Sequence, residues 1–312
     1  MTAWVDDTVT SGGARYRDHE PYNDTVSSTL ISCAGAMSST VQVGGAGANY
    51  ANLGEFLYAL GQCGINGPLT VKLAPGVYNP VAIPSIPGIS SRNYVQFEPL
   101  DGSDTSVTFR PIITNGATTP SLVDIRNISH IRFNKINFES NATTSPVTYM
   151  VRMSSVSAGC QFSNCVFREV LGSDNVALSY TASDALIFSG GADSILVKNC
   201  KFYRGTVGVS LIGPSTDNHA RGNRIIGNTF TNQGNSAIVV RNQYAALVDT
   251  NYIAGKIFED PLFGTNSHNG HKRHSSEFPT LQMTTLRYLF LSTYESIVHS
   301  LLADSFLNPE NC

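Results

Sequence analysis

One short pattern constrains this chain more than any other feature. A large apolar residue is followed three positions on by a residue of buried type, and two beyond that by another large apolar residue. It reads Phe133, Ile136, Phe138; then Phe162, Cys165, Phe167; then Val197, Cys200, Phe202; then Ile225, Asn228, Phe230; then Val248, Asn251, Ile253. The last members stand 29, 35, 28 and 23 residues apart (138, 167, 202, 230 and 253). A motif recurring at intervals of this size is the signature of a solenoid. Its closing two-residue step is the period of a strand with one buried face. Each copy therefore reads as one coil of an all-β solenoid, a right-handed parallel β-helix. The other reading is a β-sandwich whose strands are alike by chance. Retention of the 3-then-2 spacing through five copies favours the solenoid.

Composition agrees with a solenoid and narrows function. The chain has 312 residues, and 41% of them are apolar, enough for a core. Length alone suggests about two domains, a weak prior for a continuous solenoid. Charged residues make up only 14%, against about 25% in an average domain. Uncharged polar residues fill the surface instead, as suits an extracellular β-protein. Net charge is −3 with no basic block, so nucleic-acid binding and electrostatic membrane binding have no support. No apolar run is long enough to span a membrane. Met1 to Thr10 lacks the basic and apolar regions of a secretory signal. The expected location is extracellular or cell-surface, with any export signal outside this sequence.

Residues 1–40 are polar and weakly patterned, and read as a linker or the end of a preceding domain. Residues 41–260 are the expected β-helix. Its opening holds a helix over Leu53 to Leu60, with Asn52 as N-cap, Glu55 closing a capping box, and Gly61 as the stop. Leu53, Phe56, Leu57 and Leu60 share one helical face. The helix caps the first coil, whose apolar end and strand edge would otherwise be open. Strands are expected at Leu69–Leu73, Tyr94–Glu98, Ser106–Arg110, Leu122–Arg126, Met150–Met153, Ala185–Phe188, Val207–Ile212 and Ala237–Arg241. Residues 261–312 carry no coil motif. Thr285 to Leu307 reads as helix, either a C-terminal cap or sequence foreign to the fold.

The cap also carries a family resemblance. GAGANYANLGEFLYAL followed by LTVKLAPGVYNPVAIP resembles the opening of pectin methylesterases and related pectin-lyase-fold proteins. The longer stretch from Ser32 to Gly88 is more similar to β-helix domains of secreted bacterial surface proteins. That resemblance implies the β-helix fold and membership of a longer multidomain chain. It also makes a demand: the pectin methylesterases carry Gln-Asp-Thr-Leu-Tyr, Gly-x-Val-Asp-Phe-Ile-Phe-Gly and Gly-Arg-Pro-Trp segments. None occurs here, and the single tryptophan, Trp4, lies outside the coils. A fold hosts many functions, so the resemblance does not imply the activity.

Six cysteines are present. Cys33 and Cys63 flank the cap and can pair, whereas Cys165 and Cys200 stack in successive coils as free, buried thiols. Asn228 and Asn251 continue that column and must be hydrogen-bonded there. On the outside, Glu139, Arg168, Tyr203 and Thr231 form a column if register holds, with Glu139 and Arg168 a weak ion pair of about 0–1 kcal/mol. Glu169 and Arg204 come next. Asp174, Tyr180, Asp184, Tyr203, Arg204 and Arg241 are the candidate substrate-binding residues, because aromatic and arginine side chains beside a long sheet can stack on and hydrogen-bond to sugars. No catalytic residue, metal site or cofactor is expected; His268, His271 and His274 read as a basic tail segment. Asn23, Asn127 and Asn141 begin N-x-[ST] sequons. The expectation is a non-catalytic secreted or cell-surface module for adhesion or polysaccharide binding. The alternative is a divergent polysaccharide lyase, hydrolase or carbohydrate esterase.

Overall fold

The computed structural model describes residues 35–111, 121–140, 149–169, 185–215, 218–233 and 236–254, together with Cys33, four short strands before it and two after residue 254. The chain divides into two units, Met1–Gly35 and Ala36–Cys312. In the first, Thr2–Trp4 pairs antiparallel with Thr25–Ser27, and Thr8–Ser11 with Ala14–Arg17. The second is a parallel β-helix.

Three parallel sheets run its length. The first stacks Met37–Val43, Ile65–Leu73, Val95–Pro99, Ile131–Asn134, Gln161–Ser163, Leu196–Lys198, Arg224–Ile226 and Ala246–Asp249. The second stacks Gly76–Tyr78, Val107–Phe109, Asn137–Glu139, Val166–Arg168, Lys201–Tyr203, Thr229–Thr231 and Tyr252–Ala254. The third stacks Val81–Ala82, Ser121–Asp124, Tyr149–Ser154, Ala185–Gly190, Val207–Ile212 and Ser236–Arg241. The strands read from sequence are all here, with ends moved by up to four residues.

The 3-then-2 spacing has a backbone cause. Strands of the first and second sheets join through one bend, and the residue before the middle motif member is left-handed: Lys135 (φ 58°), Asn164 (55°), Asn199 (52°), Gly227 (66°) and Thr250 (52°). That residue breaks the two-residue alternation, so the next side chain also points inward. Its N–H donates to the neighbouring coil, as in Lys135 to the Ser163 carbonyl and Asn164 to the Lys198 carbonyl, both at 3.0 Å. Asparagine and glycine take this conformation at low cost, lysine and threonine less readily.

Inside, equivalent side chains meet in columns. Phe138, Phe167, Phe202 and Phe230 are fully buried, and successive rings stack with centroids 4.7, 4.8 and 4.6 Å apart. Phe97, Phe133 and Phe162 form a second stack. Cys165 and Cys200 are buried free thiols, as expected, and burial pushes the Cys200 thiol well up. Asn228 follows them, accepting from the Cys200 N–H (2.8 Å) and donating to the Val197 carbonyl (3.0 Å) and to Asn251 Oδ1 (2.9 Å). Asn251 in turn donates to the Ile225 carbonyl at 2.8 Å. The inward asparagines thus bond to neighbouring coils, as a buried amide must.

The capping helix spans Leu53–Cys63 and buries Leu53, Phe56, Leu57, Ala59 and Leu60. Asn52 Oδ1 accepts from the Glu55 N–H at 3.0 Å, and Glu55 Oε2 accepts from the Ala51 N–H at 3.2 Å. Gly61 is not the stop. The helix runs on to Gly64, which is left-handed (φ 65°) and packs so closely on Pro87 that a Cβ would collide with the Pro87 carbonyl. Cys33 and Cys63 are each disulfide-bonded.

At the other end the expected helix over Thr285 to Leu307 meets a different observation. Leu286–Leu289 is a strand lying antiparallel on Ala246–Asp249, and Leu281–Gln282 lies antiparallel on Tyr252–Ala254. Leu286 and Leu289 stand at helical spacing but are too few to require a helix, and an open sheet edge supplies the partners a strand needs.

Candidate functional site

Three outward-facing clusters carry the polar chemistry of the coils. The first is the column read from sequence on the second sheet. Its register holds: Glu139 pairs with Arg168, Arg168 with Tyr203 and Tyr203 with Thr231. These positions alternate with the buried phenylalanines, which turns them outward. The ion pair falls elsewhere than expected, because Glu139 Oε2 meets Arg110 Nη1 at 3.8 Å. Arg168 instead lies over the Tyr203 ring, its guanidinium carbon 5.1 Å from the centroid. Such a contact contributes about 0.5–1 kcal/mol at an exposed site. Strand spacing places successive members of the column about 4.8 Å apart.

Three of the six candidate binding residues lie among the described residues. Tyr203 is half-buried in this column. Arg204 follows it in a left-handed turn (φ 60°), its N–H donating to the Thr231 carbonyl at 2.8 Å. Arg241 ends a strand of the third sheet, aligned with Ile212. Asp174, Tyr180 and Asp184 lie outside the described residues, as do His268, His271, His274, Asn23 and Asn141. Asn127 is exposed in a turn.

The second cluster, on the third sheet, was not foreseen. Asp124 receives Arg126 through Nε at 3.0 and 2.9 Å and through Nη2 at 2.6 Å. Arg152 aligns with Asp124 in the next coil. Burial pushes the Asp124 carboxyl up, but the Arg126 hydrogen bonds and charge, with the Arg152 charge, outweigh it and hold it below the usual carboxylate range. Arg152 also lies 5.3 Å from the Tyr149 ring centroid, and Tyr149 packs on Phe188 at 5.1 Å. The Asp124 carboxylate is thereby engaged on both oxygens, which suits a brace better than a catalytic base.

The third cluster lies on the first sheet. Glu98 accepts from Lys72 at 2.6 Å, Gln96 at 2.8 Å and Asn134 at 3.3 Å. Asn164 extends the chain by donating to Asn134 Oδ1 at 2.9 Å. Burial raises the Glu98 carboxyl, but these donors and the Lys72 charge bring it below its ordinary value. Beside them Arg132 lies flat over Tyr94, with its guanidinium carbon 3.4 Å from the ring centroid. Its Nε is buried without a hydrogen-bond partner, an arrangement that costs about 1–3 kcal/mol.

Among the described residues no three His, Cys, Asp or Glu side chains gather closely enough to hold a metal ion, and no helix is long and apolar enough to cross a membrane. No protein-family model matches the chain, and no curated protein does. Two crystal structures of the pectin methylesterase from Aspergillus niger, one deglycosylated and one penultimately deglycosylated, are similar to it at 12% identity. Their TM-scores are 0.32 and 0.31, covering 80% and 81% of this chain and 94% of theirs.

Proposed function

We propose that this β-helix, residues 41–260, is a non-catalytic polysaccharide-binding or adhesion module of a secreted or cell-surface protein. The observation that supports it is the in-register column Arg110, Glu139, Arg168, Tyr203 and Thr231 on the second sheet. It offers an aromatic ring, guanidinium donors and a carboxylate at a constant repeat along the coil axis. A polymer lying along that axis meets one polar or aromatic group in each successive coil, so many weak contacts add without a deep pocket. Aromatic faces and arginine forks suit the flat faces and hydroxyls of sugars. The disulfide-bonded state of Cys33 and Cys63 favours an oxidising compartment.

A glycan array probed with the purified chain tests this reading. Binding to one class of polysaccharide is expected, without turnover when the same polymers are assayed for lyase, hydrolase and esterase products. Turnover would replace the module with the divergent enzyme. An array with no bound glycan would remove the reading.

A further inference from the structure

Arg132 is an outward side chain whose position the described fold does not explain. It alternates with Ile131 and Phe133, both buried, and so projects from the first sheet. Its guanidinium is held flat on Tyr94. Nε is shut off from water with no partner, and among the described residues the side chain forms no ion pair. Glu98 on the same face is already engaged by Lys72. His130 is neutral or cationic and so supplies no counter-charge; burial and then the Arg132 charge favour its neutral form. Gln96 and Gln161 align with Arg132 from the coils on either side. Gln96 is bound to Glu98, while Gln161 is half-exposed.

Nε is closed to a ligand as it is to water, so the end that remains to be met is the Nη end of the half-buried guanidinium, for which the described residues supply no ion pair. A guanidinium is a rigid planar fork matched to carboxylate and sulfate oxygens. Stacking on Tyr94 fixes its plane in advance, which removes part of the ordering that binding would otherwise require. We propose that Arg132, stacked on Tyr94 and next to Gln161, anchors a second binding site on the first sheet. Its ligand group is an oxyanion, a carboxylate or sulfate ester carried on a polar ligand. This site does not depend on the second-sheet column.

Isothermal titration of the full chain tests it with four probes: a uronic-acid oligosaccharide, its neutral methyl ester, a sulfated neutral oligosaccharide and inorganic sulfate. At least one of the two anionic oligosaccharides should bind, and whichever binds identifies the oxyanion. R132Q should weaken that binding at least tenfold, and R132K should fail to restore it because a point charge does not reproduce the fork. Y58A, an exposed residue of the capping helix outside both surfaces, should leave it unchanged. R132Q should still unfold in one cooperative transition, so that its lost binding reports on the site. The proposal is overturned if R132Q binds as tightly as wild type, if the neutral methyl ester binds as well as the anionic oligosaccharide that binds, or if neither anionic oligosaccharide binds.

Discussion

At the scale of single residues, the inner column passes from Ile136 through two thiols to two asparagines without breaking the stack. The amides can replace the apolar side chains because the bend leaves backbone groups for them to bond. Asn228→Ala would strand the Cys200 N–H and the Val197 carbonyl in the core. The expected loss is about 3 kcal/mol, read as a lower urea midpoint at unchanged slope. Asp124 makes a pH prediction. Its folded pKa is depressed, so its stabilisation is full above the ordinary carboxylate range, near pH 4, and is lost as pH falls through the folded value. Asp124→Asn should lower stability at neutral pH and flatten the acid limb of the urea midpoint. An acid limb as steep as the wild type's would contradict this. The sequence made the inner column legible because its spacing is fixed within each coil. It did not reveal the Asp124–Arg152 or Arg132–Tyr94 contacts. Those residues meet across coils of unequal length, and 28 and 38 positions separate them along the chain (124 to 152, 94 to 132).

At the scale of elements, the capping helix closes the first coil with five buried side chains. Asn52 and Glu55 announced its start, since a capping box is a local pattern. Its end was misplaced by three residues, from Gly61 to Gly64, because what stops the helix is contact with Pro87 and not the first glycine encountered. Leu57→Asp should destabilise the β-helix by at least about 3 kcal/mol, through lost packing and a buried charge. Unchanged thermal unfolding would show that the helix is dispensable as a cap. Gly64→Ala should also lower the melting temperature, because the new Cβ meets both a left-handed φ and the Pro87 backbone. Strands after residue 280 escaped the sequence reading for the opposite reason: their pairing is decided by open edges on the last coil, which no local periodicity records.

At the scale of the whole molecule, the interior and exterior follow different rules. The interior is a repeating lattice of phenylalanine stacks and amide bonds, and repetition in the sequence exposed it. The exterior carries different polar groups on each sheet, and their roles depend on what they meet around the coil. Binding on such a surface should weaken in proportion to the contacts removed and should leave the folded core intact. The most direct measurement is the affinity of a glycan found on the array for the wild type, R168A, Y203A and Y58A, the last an exposed residue of the capping helix. The predicted result is a loss of at least about tenfold, or roughly 1.4 kcal/mol, in R168A and Y203A, with Y58A and all melting temperatures unchanged. Equal affinity in all four proteins would contradict the assignment of the second-sheet column as the binding surface.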